Sequence, residues 1–370
     1  MKIDYDNSLL SLITSVLKHY GVPSSHRTLF ELDAILSKNY KNLVVMLFDG
    51  MGTAIMEKHL PPDAFLYKHL KRTISSVFPP TTTAATIAME TGLSPIEHGW
   101  LGWSLYFDEV GANVNIFPNT LSGTGGQIAA DYNVARQFIP YKSVGEKISE
   151  ATNNNVGTYI VSPFSSFKST GVNDICNTVE QLCAKDGQKY IYTYWHQPDD
   201  DMHENGTTHK KITAHILEIN SEVEELCERL EDTLVIVTAD HGLVDTTWLF
   251  LADYPDITEC LLRTPSIESR AMTFFVKEEK REQFETSFKA HFSDYYQLYS
   301  KEQVLEKELF GTGASNPRST GFIGDYLAVA FGEKSIEASP PANHEAFKAA
   351  HAGMTEDEMS VPLIVLDCTK

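Results

Sequence analysis

A chain of 370 residues, 42% of them hydrophobic, can bury a large core, which excludes a disordered chain and leaves one large domain with an insertion, or two domains. Its formal net charge of -20 excludes a nucleic-acid polymer or an anionic membrane as the main partner, because both repel so acidic a surface. A small anion stays open as a substrate if a cation recruits it.

The first residues, Met1-Lys2-Ile3-Asp4-Tyr5-Asp6, carry acids and no long apolar run, and nowhere do eighteen apolar residues follow one another. The expectation is a soluble, cytoplasmic protein. Cys176, Cys183, Cys227, Cys260 and Cys368 are odd in number and never spaced C-x-x-C, which predicts reduced thiols and no zinc ribbon. Any metal must then be held by histidine and carboxylate.

Residues 7–38 have helical spacing and lead to Leu43-Val44-Val45-Met46-Leu47-Phe48, apolar on both faces as a strand buried in a parallel sheet should be. It ends in Asp49-Gly50-Met51-Gly52, so a carboxylate sits at a strand's C-terminal end, where open α/β sheets bind ligands. Next comes Phe78-Pro79-Pro80-Thr81-Thr82-Thr83-Ala84-Ala85-Thr86. The prolines impose an extended approach, the threonines suit an N-cap, and the run behind them is helix-forming. A hydroxyl is thereby placed at a helix N-terminus, where an anion is favoured. Trp100, Trp103 and Tyr106 follow closely; aromatics at such spacing are more often core than a stacking platform for a flat leaving group.

Strands are predicted again over 157–161, 190–195 and 234–238, ending at Ser162-Pro163, His196 and Asp240-His241-Gly242. Between them, Ile212, Ile216, Ile219, Val223, Leu226 and Leu230 place one apolar stripe on a helix over 208–230. The alternation predicts an α/β fold with a mostly parallel central sheet flanked by helices. From 251 to 318 the pattern changes to a strand over 270–276, a charged helix over 278–291 and a loop over 311–318. This reads as a small inserted α+β cap subdomain on a core made of 1–250 and 319–370, to which the chain returns with strands at 326–331 and 361–366.

Asp199 and His203 lie four apart, Asp240-His241-Gly242 follows a buried strand, and His351 precedes Ala352-Gly353-Met354. Singly these are a solvated loop, a turn and a surface histidine. With Asp49 they offer three carboxylates and three imidazoles on the loop side of one sheet, the inventory for two divalent ions such as Zn2+, with Mn2+ as a substitute. Two ions about 4 Å apart can activate a nucleophile and stabilise a leaving oxygen in an in-line phosphoryl displacement. Thr82 is the candidate nucleophile.

These residues make the sequence resemble the alkaline phosphatase superfamily and, within it, the type I phosphodiesterase/nucleotide pyrophosphatase family. The resemblance rests on L-F-D-G-M-G, F-P-P-T-T-T with T-G-L-S-P-I-E-H-G, P-D-D-D-M-H-E-N-G, T-A-D-H-G and H-A-G-M-T-E-D-E-M-S-V-P-L-I-V. In that family the nucleophilic hydroxyl lies nine residues before the Thr of T-G-L, which is Thr82 counted back from Thr91. The resemblance implies one metal on Asp49, Thr82, Asp240 and His241 and the other on Asp199, His203 and His351. It also implies a phosphothreonine formed on Thr82 and then hydrolysed, with retention at phosphorus. His98 matches a family position that is not a ligand. Eukaryotic members carry, twenty-one residues beyond the nucleophile, an Asn that helps hold a phosphoryl oxygen; here that residue is Trp103, and Asn115 is the candidate replacement. Lys168 and Arg270 are candidates for contacting a second phosphate.

The expected activity is hydrolysis of phosphoric diesters or nucleotide pyrophosphates, on a small phosphorylated substrate such as a nucleotide. The alternatives are a phosphomonoesterase or phosphomutase of the same superfamily, for which a third positive group would grip the extra charge, and an inactive metal-binding scaffold. A sulfatase is disfavoured, since residues 78–86 lack the C/S-x-P-x-R context.

Overall fold

The computed structural model describes residues 3–340 and 346–369. Its central sheet has six strands in the order β2 (Leu70–Ser75), β17 (Ser360–Cys368), β8 (Thr233–Thr238), β1 (Asn42–Phe48), β7 (Gln188–Trp195) and β6 (Val156–Val161). β8, β1, β7 and β6 are parallel, while β17 runs antiparallel between β8 and β2. Every residue of β1 and of β8 is buried, as their two apolar faces demand. The predicted helix over 208–230 is observed as Lys210–Arg229, and its stripe of Ile212, Ile216, Ile219, Val223 and Leu226 is fully buried. Five such side chains contribute on the order of 10 kcal/mol, so packing holds this helix, which helical propensity alone would leave marginal.

A second sheet of seven strands is antiparallel throughout, in the order β13 (Tyr296–Ser300), β14 (Tyr326–Ala330), β12 (Ala271–Phe274), β11 (Ser266–Ile267), β3 (Ser104–Phe107), β4 (Ala112–Asn115) and β5 (Thr120–Leu121). The strand at 326–331, expected to rejoin the central sheet, is β14 of this second one, and residues 104–121 join it from before the 251–318 segment. The reason lies in β14's two faces. Leu327 and Val329 pack into one apolar cluster, and Tyr326, Ala328 and Ala330 into another, so the strand needs cover on both sides and pairs on both edges. Two short pairs complete the strands: β9 (Val244–Asp245) with β16 (Ala349–Ala350), and β10 (Thr247–Phe250) with β15 (Lys334–Glu337). None of the five cysteines is in a disulfide.

Arg270, considered above as a phosphate contact, is instead sealed inside. Its Nε and Nη2 donate to the two oxygens of Glu358 at 2.6 and 2.8 Å, and Nη1 and Nη2 also donate to the carbonyls of Lys334 and Gly332. Neither side chain of the pair is exposed. Glu358 also accepts the N–H of Gly353 at 2.7 Å, so this pair fastens the segment that follows His351 to the second sheet. Arg270→Met leaves a carboxylate buried without its partner and is expected to destabilise the protein by about 3–5 kcal/mol. The shift of the denaturant midpoint measures it, and a loss below about 1 kcal/mol would show that the pair is dispensable.

Candidate active site

The loops after β1 and β8 meet at two glycines, since a Cβ on Gly52 would lie 2.6 Å from Gly242 Cα. A Cβ on Gly242 would lie 2.1 Å from the Asp357 carbonyl oxygen, so only glycine lets the Asp240-His241 turn seat against the C-terminal segment. Asp240 Oδ1 then accepts the N–H groups of Gly50 and His241, each at 3.0 Å, which fixes it against the end of β1. Asp49 Oδ2 accepts a hydrogen bond from the Tyr194 hydroxyl on β7 at 2.5 Å. Thr82 is the first residue of the helix Thr82–Thr91, and its hydroxyl lies 3.4 Å from Asp49 Oδ2 and 3.3 Å from His241 Nε2. Thr81 and Thr83 are buried, so Thr82 alone of the three threonines is partly open.

One turn of the helix Asp199–Asn205 brings His203 Nε2 to 3.2 Å from Asp199 Oδ2, and His351 Nε2 approaches Asp199 Oδ1 at 4.0 Å. Two groups able to hold a metal ion result, Asp49/Asp240/His241 and Asp199/His203/His351, each with its ligand atoms within 4.8 Å of one another. The groups adjoin, since the rings of His241 and His351 stack at 3.8 Å.

The donor set fits divalent cations on three counts. Asp49 Oδ1, Asp199 Oδ1 and Asp240 Oδ2 are buried without a hydrogen-bond partner, one orphan oxygen on each aspartate. Each histidine turns Nδ1 to a backbone carbonyl, His203 to Ala349 at 2.8 Å, His241 to Gly242 at 3.2 Å and His351 to Pro80 at 3.1 Å, which leaves Nε2 facing the carboxylates. The protein's own field is also in conflict with itself. Burial, then Asp240 and Asp199, push the Asp49 carboxyl well above its usual range, and burial raises Asp240. Burial also opposes the charge on Asp199, but His203 outweighs it and holds that carboxyl low. In turn Asp199 overcomes burial at His203 and lifts it to about 9, whereas burial and His241 keep His351 low. A divalent ion in each group relieves these strains, and mixed imidazole and carboxylate donors suit zinc or manganese.

The other predicted residues lie further out. Asn115 is in β4 and donates to Thr120, with no bond to either group. Lys168 is exposed on the loop after β6. Trp103 is 42% exposed with its ring beside Phe117, while Trp100 is buried and Tyr106 lies under the Arg263 guanidinium at 3.7 Å. His98 is a buried structural histidine: Nδ1 accepts the N–H of Trp100 at 3.0 Å, and burial lowers its pKa to about 3. Two groups at the site went unread in the sequence. Tyr194 looks like any strand aromatic, though its place just before the strand's end was a usable signal, and Glu268 had none.

A mostly parallel sheet carrying two such candidate ligand groups beyond its strand ends, with a threonine at a helix start beside one of them, is the arrangement of a metal-dependent hydrolase. The chain belongs to the type I phosphodiesterase / nucleotide pyrophosphatase family, whose model matches residues 43–342. Among solved structures it is similar to murine ectonucleotide pyrophosphatase / phosphodiesterase 5, at 16% identity and a TM-score of 0.66 over 87% of each chain. The human counterpart gives 16% and 0.65, again over 87% of each chain. Phosphonoacetate hydrolase from Sinorhizobium meliloti 1021, bound to phosphonoformate, gives 15% and 0.63 over 87% of this chain and 89% of that one. At these identities the likeness is one of fold. Comparison with curated protein sequences finds no match.

His351→Ala is expected to reduce the metal content of the loaded protein from two ions per chain to one, because the Asp49/Asp240/His241 group stays whole. Elemental analysis after zinc or manganese loading and desalting checks this. A wild type that holds at most one ion, or a variant that still holds two, contradicts the assignment.

Proposed function

We propose that the protein hydrolyses phosphoric diesters or nucleotide pyrophosphates through a covalent intermediate on Thr82. The observation that carries this reading is the Thr82 hydroxyl, within 3.4 Å of both Asp49 and His241 and at the start of a ten-residue helix. Asp49, Thr82, Asp240 and His241 would hold one ion and Asp199, His203 and His351 the other. When bound, such ions supply positive charge against phosphoryl oxygens and acidify hydroxyls and water. The Thr82 oxygen gives up its proton to solvent and bonds to phosphorus as the bond to the leaving oxygen breaks. Water then attacks the same phosphorus, the bond to Thr82 breaks, and configuration is retained over the two displacements. Tyr194 fixes the Asp49 carboxylate throughout, and the free N–H groups of the helix start favour the anionic group.

A monoester reading requires a positive group for the second charge. Arg270 is closed on Glu358, and among the described residues the ion-pair partners of Asp49, Asp199 and Asp240 are all histidines. This favours the diester. A solved structure of an inactive variant of the murine relative is in complex with AMP, which supports a nucleotide or similar small phosphorylated group as the ligand here. The convergence of all seven site residues stands against an inactive scaffold. Leaving-group selection is assigned to residues 251–318 together with the strands that complete their sheet. Five cysteines outside any disulfide support a cytoplasmic setting, and among the described residues no helix is long and apolar enough to cross a membrane.

Thr82→Ala is expected to keep the fold and most metal binding while losing about 10³–10⁶-fold in kcat on an aryl phosphodiester. Thr82→Ser retains measurable turnover. Acid quench and peptide mapping should find the phosphoryl group on Thr82; label on Thr81 or Thr83, or near-normal turnover by Thr82→Ala, would overturn the mechanism.

A further inference from the structure

Besides the metal-binding groups, one more acid reaches the nucleophile's neighbourhood. Glu268 Oε1 accepts two hydrogen bonds, from the Thr81 hydroxyl at 2.6 Å and from the Trp103 N–H at 2.7 Å. It thus grips the residue immediately before Thr82 and the loop that carries Trp103. Its other oxygen, Oε2, has no hydrogen-bond partner among the described residues and is the atom left to meet solvent or substrate.

The backbone is distorted to bring this carboxyl in. Ile267, immediately before it, is buried with φ at +77°, a left-handed conformation that a β-branched residue adopts only under constraint. Its pairings with Ser104 and Met272 in the second sheet hold it there. The loop before β3 closes on the same point: a Cβ on Gly102 would lie 2.6 Å from Ile267 Cγ2 and 2.9 Å from its carbonyl oxygen. Outliers of this kind gather where function imposes geometry.

A brace for Thr81 needs only an acceptor, which a neutral amide supplies. A carboxyl adds something an amide does not, negative charge beside a centre meant for an anion. Burial pushes Glu268 up to about 7, with Thr81, Trp103 and His203 drawing it back and Glu337 adding to the rise, so above that pH the group is ionised. Its repulsion grows with the charge on the reacting phosphorus, one unit for a diester and about two for a monoester.

We propose that Glu268 is the charge-selecting residue of this site, disfavouring dianionic monoesters so that monoanionic diesters are the preferred substrates. This rests on the phosphodiesterase reading above. The test compares kcat/KM at pH 9 for an aryl phosphomonoester and an aryl alkyl phosphodiester in the wild-type protein, Glu268→Gln and Glu268→Asp, with inhibition by inorganic phosphate as a binding readout. In Glu268→Gln the monoester-to-diester ratio should rise roughly 10- to 30-fold and phosphate should inhibit at lower concentration, while Glu268→Asp, which keeps the charge, stays near the wild-type ratio. A ratio within twofold of wild type in Glu268→Gln, or an equal fall on both substrates with phosphate inhibition unchanged, reduces Glu268 to a brace and overturns the proposal while the diesterase reading stands. Absence of diester turnover in the wild type overturns that reading and the selection with it.

Discussion

Three aspartates crowded into one buried space are the constraint around which this molecule is arranged. Asp49 and Asp240 follow the ends of β1 and β8, and Asp199 opens the helix after β7, so the three adjacent central strands deliver their acids to one place by pairing in register. No lysine or arginine offsets them among the described residues; the partners are histidines, and each carboxylate keeps an oxygen unanswered. Burying ionised carboxylates without compensation costs several kcal/mol each, so the native state is tied to cations that the unfolded chain binds far less well.

Several contacts around the site hold that arrangement in place. Backbone carbonyls orient the imidazoles, Tyr194 orients Asp49, and the Arg270–Glu358 pair ties the segment after His351 to the second sheet. That sheet also carries Glu268, which accepts hydrogen bonds from the Thr81 hydroxyl and the Trp103 N–H. The central sheet therefore carries the two groups able to hold a metal ion, and the second sheet lies against the segments that adjoin them.

Much of the core was legible in the sequence because its physics is local. A run such as Leu43 to Phe48, apolar at every position, has few fates other than a strand covered on both faces, and Asp199 and His203 four apart share one side of a helix. The resemblance, not local physics, picked Thr82 from three adjacent threonines, and Thr82 is the one of the three that is partly open. The covering sheet was hidden for the opposite reason. β11 and β5 have two residues each, too few for alternation to register, and β14 is as apolar as a central strand although it lies in the other sheet. Arg270 looked like a free cation because its partner stands 88 residues away, and Glu268 owes its position to a backbone conformation that no pattern of residue types announces.

The place of β17 carries a consequence for how the protein is made. Ser360–Cys368 forms no edge of the central sheet but fills the slot between β8 and β2, pairing with both. During synthesis the sheet therefore stays split until Cys368 has cleared the ribosome, and β8 spends that interval with an open, apolar edge. His351 emerges only shortly before β17, so the second ligand group closes at about the same moment as the sheet. Through that interval the nascent chain is vulnerable to aggregation at this edge, in a folding reaction dominated by contacts distant in sequence.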